Sequence, residues 1–186
     1  MNKIIWAIKR KIRGEMSVKR LVKAGLKIGK NVSFETGCKI DPSFPWHVEI
    51  GNNVIFAPKV HIVAHDTSTY MLMGYVRVAN VKIGNNVFIG IGTIILPGTT
   101  IGDNVVIGAG SVIKGNIPDN SVAVGVPARV ICPLDEYLEK EKNNKNAENT
   151  FSDRDNWQNP NFPKKQQIEM YKMAEKWNEI FVNISR

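Results

Sequence analysis

The sequence predicts an all-β solenoid, a parallel β-helix with helical appendages at both ends, and three observations carry that expectation. Isoleucine stands at 83, 89, 95, 101, 107 and 113; glycine follows it at 84, 90, 102 and 108; and the fifth slot holds Val87, Thr93, Thr99, Val105 and Ser111. Isoleucine is 22 of the 186 residues. Six in register by accident therefore has a probability on the order of 10⁻⁶ per starting position, treating positions as independent.

A period of six fits neither the 3.6 of a helix nor the bare alternation of a flat strand, but it does fit short strands joined by regular corners. Each unit, Ile-Gly-x-x-small-x, supplies one flat side, and three units close one coil. The large aliphatic points inward, the small or β-branched residue sits where the interior is tighter, and glycine is expected to provide the backbone conformation of a corner.

Fainter units precede the strong run at Ile28, Phe34 and Ile40, then at Ile50, Phe56 and Ile62, with Val32, Cys38, Val54 and Val60 in the fifth slot. Cys38 is accordingly read as core filler. The step from Ile40 to Ile50 leaves extra residues around Pro42, Pro45 and Trp46 to bulge out. The step from Ile62 to Ile83 is either one coil with a small insertion or an excursion of about fifteen residues before the next coil. In both cases Asp66 to Val81 does not keep the spacing. Five coils at ~4.8 Å make a prism about 24 Å tall.

A solenoid needs its end coils covered. Residues 3 to 25 carry Ile4, Ile8, Ile12 and Met16 at helical spacing, and residues 165 to 184 carry Ile168, Tyr171, Ala174, Trp177 and Phe181 similarly. The expected organisation is a basic amphipathic helical segment at 1–25, the β-helix at 26–132 with a loop at 66–81, and a polar linker and helix at 133–186. Within the last segment, Lys142 to Pro163 is rich in Asn, Asp and charge and reads as a flexible linker.

The net charge of +8 is concentrated at one end: residues 1 to 30 hold ten Lys or Arg and one acid. A nucleic-acid surface would need basic residues interleaved with aromatic or base-reading groups across the body, and none are seen. The apolar run Ile4 to Ile8 is shorter than the core of a signal peptide, and no stretch approaches the roughly 20 apolar residues of a membrane span. Two cysteines, Cys38 and Cys132, give no disulfide framework. The cytoplasm is the expected compartment. The basic start with Trp6 could lie on an anionic membrane as a peripheral contact, while the plainer account is a helix capping the first coil.

Three segments, IGNNVFIG from Ile83, ILPGTTIGDNVVIGAGSVI from Ile95 and GVPARVI from Gly125, resemble the hexapeptide-repeat acyltransferases. The likeness is to the galactoside, maltose and capsular-polysaccharide O-acetyltransferase group and covers about residues 26 to 132. It implies left-handed winding, which general crossover rules would not suggest, and a homotrimer with active sites between neighbouring prisms. It also implies acetyl-CoA as co-substrate with no metal, and a small sugar-like acceptor.

In that family a histidine near the start of a protruding loop is the base, and His65 in the segment IVAHDTST matches it. An acceptor hydroxyl is a poor nucleophile until a base takes its proton as it attacks the thioester carbon. Imidazole, with an unperturbed pKa of about 6.5, is mostly neutral near pH 7 and free to accept one. Asp66 is adjacent, but neighbours on a strand point to opposite sides. Asp41, Glu35 or a backbone carbonyl could orient the ring, and the sequence leaves that choice open.

The resemblance further implies backbone contacts to the donor at Gly90, Ile91 and Ala109, with Lys114 and Arg129 facing its phosphates. Acceptor contacts are expected at Asp41, Tyr70 and Phe88, with Tyr70, Met71, Met73 and Tyr75 placing acceptor choice in the loop. The chain departs from the pattern at Phe88, where relatives often carry tryptophan, near Cys132, where a second basic residue is absent, and at Lys114, one place earlier than the family's lysine. Competing readings are N-acetylation of an amino sugar or xenobiotic, a zinc hydratase using His47, His61 and His65, and a non-catalytic β-solenoid scaffold.

Overall fold

The computed structural model describes residues 16–146, 148–151, 162–177, 179 and 181–182. Ile4 to Ile12 and the expected N-terminal membrane contact lie outside these residues. The chain divides into two compact units, 1–135 and 136–186.

In the first unit the hexads become three parallel sheets. The first side stacks Lys27–Ile28, Val48–Ile50, Val81–Ile83, Thr100–Ile101 and Asn116–Ile117. The second stacks Ser33–Phe34, Val54–Phe56, Val87–Ile89, Val105–Ile107 and Ser121–Gly125, and the third Lys39–Ile40, His61–Ile62, Ile94–Ile95 and Val112–Ile113. Register is strict: Ile28, Ile50, Ile83, Ile101 and Ile117 form one row, and Ile40, Ile62, Ile95 and Ile113 another. Every isoleucine of the strong run is buried, each such burial contributing about 1.5–3 kcal/mol. Phe34 and Phe56 stack with ring centroids 4.7 Å apart in the first two coils.

Ile62 lies on the third side and Ile83 on the first, so the next coil starts directly after the long excursion. Cys38 is buried, its thiol 3.2 Å from the Ala57 carbonyl, and burial pushes that thiol up from its ordinary value.

The glycines correct the sequence reading. Gly84, Gly90, Gly102 and Gly108 do not adopt the left-handed conformation; that belongs to Gly92, Gly98 and Gly110 and to Asn31, Asn53, Asn86, Asn104 and Asn120. These four glycines are there because the next coil passes too close for a Cβ. One built on Gly90 would sit 2.5 Å from the Ala109 nitrogen, and one on Gly84 would sit 2.6 Å from the Gly102 carbonyl oxygen.

The two polar slots of the unit, unassigned from sequence, build a corner. Asn31, Asn53, Asn86, Asn104 and Asn120 stack with each side-chain amide donating to the next at 2.9–3.0 Å. Beside them, the Asn52, Asn85, Asp103 and Asp119 side chains accept the backbone N–H of Lys30, Asn52, Asn85 and Asp103. The corner's amide donors thus find partners in a place where a two-residue strand alone would leave them wet.

At one end, Leu21 of the helix Val18–Lys23 and Leu26 join the core, and the Ile40 N–H donates to Met16 Sδ at 3.1 Å. At the other, the segment GVPARVI forms an antiparallel hairpin: Ala128–Pro133 returns along Ser121–Gly125. The first coil thus has a helix packed on it, as a solenoid end requires, and the last strand of the second side has an antiparallel strand along its edge.

The second unit differs from the expected linker and long helix. A helix runs Leu134–Asn144, Thr150–Phe151 pairs in parallel with Phe181–Val182, and the C-terminal helix spans Lys164–Trp177. Phe181, placed on that helix by its spacing, is in a strand. The Asn149 side chain is buried and bonds the Asn144 carbonyl and the Asn146 N–H, so part of the expected linker is ordered by its own asparagines. Among the described residues no helix is long and apolar enough to cross a membrane.

Candidate active site

All departures from the six-residue step fall at one corner, where the third side turns into the first. Ile40 to Ile50 is lengthened by the turn Pro45–His47, Ile62 to Ile83 by the long loop, and Ile113 to Ile117 is shortened. His65 begins the longest of these. His65–Asp66 pairs antiparallel with Arg77–Val78, so the loop stands out as a hairpin with a short helix, Tyr70–Met73, at its tip.

Alternation on the strand separates the two neighbours. Asp66 pairs with Arg77. Hydrogen bonds from the Ser68 amide and hydroxyl, then the Arg77 guanidinium, bring the Asp66 carboxyl down to about 2. His65 turns the other way, and its Nδ1 bonds Asp41 Oδ2.

Asp41 is 4% exposed and fully engaged. Its Oδ2 also accepts the Ala64 N–H at 2.9 Å, while Oδ1 accepts those of Ser43 at 2.9 Å and Phe44 at 3.3 Å. Burial raises its carboxyl, but bonds from His65 and the Ala64 and Ser43 amides outweigh that and hold it below the ordinary carboxylate value. Of the open choices for a partner to His65, the fold therefore selects Asp41; Glu35 is exposed at a different corner. Asp41 was also expected to contact an acceptor, and there the structure differs: the residue lies behind the histidine. The Phe44 ring, 5.2 Å from the imidazole, closes another side.

With Nδ1 donating to a carboxylate, the imidazole presents its Nε2 lone pair outward. His65 lines a cleft of about 630 Å³ with Asp66, Arg77 and Lys114 as its other charged groups and Val63, Ala79, Leu96 and Pro97 among its apolar ones. A base oriented by a buried carboxylate at an apolar, open cleft is suited to taking a proton from a bound hydroxyl.

Residues 80–115 match the family described as bacterial transferase hexapeptide (six repeats). The protein CapG of Staphylococcus aureus is 38% identical over 137 residues, which is 69% of this chain and 78% of CapG. The chain belongs to the hexapeptide-repeat transferases. A galactoside O-acetyltransferase of Lactococcus lactis subsp. lactis (strain IL1403) is 41% identical over 112 residues, 55% of this chain and 53% of that protein. The crystal structure of a maltose O-acetyltransferase from Clostridium difficile 630 superposes with a TM-score of 0.51 at 31% identity, covering 71% of this chain and 85% of that one. The chain thus spans about half the length of the Lactococcus enzyme and more of the other two.

In this hexapeptide transferase the remaining sequence candidates separate into two places. Ile91 and Ala109 are exposed at the corner between the second and third sides, and among the described residues neither N–H is used between coils, whereas Gly90 is buried and its N–H donates to the Ile107 carbonyl at 2.8 Å. Gly90 is therefore a packing position whose N–H is already used. Phe88 faces outward on the second side, 42% exposed, and Arg129 lies on the closing hairpin with Nη1 donating to the Ala128 carbonyl.

Lys114 stands apart from that group, in the His65 cleft. Tyr70 is on the hairpin tip, where Met71 and Leu72 are each 89% exposed. Of the three histidines, His47 bonds Asn80 and His61 faces outward on the third side; among the described residues no group of three or more His, Cys, Asp or Glu could hold a metal ion.

Proposed function

We propose that this chain transfers an acetyl group from acetyl-CoA to a hydroxyl of a sugar or surface-polysaccharide precursor, with His65 as general base. The observation that carries this is the pair formed by the buried Asp41 and His65, which lines the cleft. The galactoside and maltose O-acetyltransferases it is similar to support the choice of donor and acceptor class.

When bound, acetyl-CoA supplies an acyl group already activated as a thioester. Asp41 holds the imidazole in the tautomer whose Nε2 is unprotonated. His65 then takes the acceptor's proton as the new C–O bond forms and returns it to the departing sulfur as the C–S bond breaks. The free amides of Ile91 and Ala109 suit the donor's pantetheine arm or the developing oxyanion, and Arg129 suits its phosphates. Tyr70 and Phe88 offer aromatic faces to an acceptor.

Ile91 and Leu96 are five residues apart across the third side, at most about 16 Å of chain, and His65 and the Ile91 and Ala109 amides lie at opposite edges of one prism. A homotrimer of left-handed coils, each copy placing its amides against its neighbour's His65, reunites them. The cytoplasm, where acetyl-CoA is made, is the compartment this reading favours.

The test is free-thiol release from acetyl-CoA across neutral sugars, uronic acids, sugar phosphates and amino sugars, with wild type and His65→Ala. The expected result is hydroxyl acetylation that drops about 10³-fold in the variant while CoA binding persists. Acetylation confined to amines, or an unimpaired variant, overturns the reading.

A further inference from the structure

Lys114 was expected among the residues that face the donor, yet the fold places it with the base. Gly90, Ile91 and Ala109 sit where the second side meets the third; Lys114 follows Ile113 at the corner between the third side and the first. There it belongs to a column with the base's own strand. The Val63 N–H donates to the Ile95 carbonyl and the Leu96 N–H to the Ile113 carbonyl, each at 2.9 Å. Val63, Leu96 and Lys114 are thus successive rungs, and the lysine backbone is two rungs, about 9–10 Å, from Val63.

The charges lining the cleft then decide what Lys114 faces. Asp66 and Arg77 neutralise each other across the hairpin. Asp41 is buried beneath His65 and engaged by it. Lys114 is exposed, and among the described residues no acid pairs with it. Its ammonium is therefore the unbalanced charge of a cleft whose other walls include Val63, Ala79, Leu96 and Pro97, a setting in which an anion is attracted more strongly than at an open surface.

We infer that the acceptor carries an anionic group, a carboxylate or a phosphate, and that Lys114 binds it while His65 addresses a hydroxyl of the same molecule. This rests on the acyl-transfer reading and deepens it by naming the acceptor's charge class. The two rungs between the groups, together with the reach of a flexible four-carbon stem, leave room for one sugar ring between the hydroxyl and the anion. Neutral galactosides and maltose lack the group that Lys114 would hold.

The experiment compares methyl β-D-glucoside, methyl β-D-glucuronide and glucose 6-phosphate as acceptors at fixed acetyl-CoA, with wild type, Lys114→Met and Lys114→Glu. Wild type is expected to favour at least one anionic acceptor over the glucoside by tenfold or more in kcat/KM, and the favoured arm tells carboxylate from phosphate. The preference shrinks with added salt, falls to within about twofold in Lys114→Met and reverses in Lys114→Glu.

Absence of any charge preference in wild type overturns the inference. So does a Lys114→Met variant that keeps the preference and instead raises the KM for acetyl-CoA, which would return the lysine to the donor. Saturation-transfer NMR with the same three compounds and His65→Ala reads acceptor binding without turnover. A charge preference in binding that disappears with Lys114→Met upholds the anion site even where no thiol is released, and equal binding of all three rejects it.

Discussion

Two corners of the same prism behave in opposite ways. The corner between the first and second sides keeps the six-residue step through all five coils and is stitched by stacked asparagines. The corner between the third and first sides is lengthened twice and shortened once, and it holds His65, Asp41, the hairpin and Lys114. The first of these corners is shaped by stacking alone, whereas the second brings together side chains that the repeat does not supply. Interruption of a strict repeat is thus itself a pointer to function.

The sharpest way to break this contrast is Asp41→Asn. The amide oxygen still accepts the Ser43 and Phe44 N–H groups, while the amide nitrogen takes the place of Oδ2 beside the Ala64 N–H, and the imidazole loses its anionic partner. The kcat is expected to fall about 10²-fold. Stability also separates wild type from variant. The Asp41 carboxyl is held below its ordinary value, so the folded state binds its proton less readily than the unfolded chain. Its contribution is present above about pH 4 and is lost as pH falls through the lower folded value. Acid titrations of thermal unfolding are expected to show that loss in wild type and not in Asp41→Asn.

Smaller effects test the regular part of the prism. Gly90→Ala drives a Cβ into the Ala109 and Gly108 backbone and is expected to destabilise by about 3 kcal/mol. Asn104→Ala removes two ladder bonds and forces alanine to φ near 56°, at an expected cost of about 2 kcal/mol, with kcat/KM unchanged because the ladder is remote from His65. Gly92→Ala meets open space and is strained only by its φ of 70°, for about 1 kcal/mol. Denaturant unfolding of the three variants ranks them; equal effects at Gly90 and Gly92 would refute the distinction between close approach and left-handed geometry.

The solenoid was legible because its cause is local and repeated. An aliphatic residue every sixth position must be buried, and only stacked coils bury Ile83 through Ile113 together. Position also marked His65, at the end of a hexad before the long interruption. The glycines were found but given the wrong cause, since the near contact of Gly90 is with Ala109, one coil away. The asparagine ladder is not legible in the sequence because a single Gly-Asn-Asn at 51–53 has no ladder until Gly-Asn-Asn at 84–86 and Gly-Asp-Asn at 102–104 stack with it.

What the sequence alone determined about this protein is the period, the identity of the core and the place where the repeat is interrupted. The tertiary structure alone decided that Asp41, not Glu35, meets His65, that Lys114 shares the His65 cleft while Ile91 and Ala109 do not, and that every irregularity among the described residues shares one edge. The physical reason is that burial pattern depends on each residue's own side chain and spacing, whereas proximity between residues 24 or 49 positions apart depends on how many residues each intervening turn consumes. Only closure of the coils sets that number.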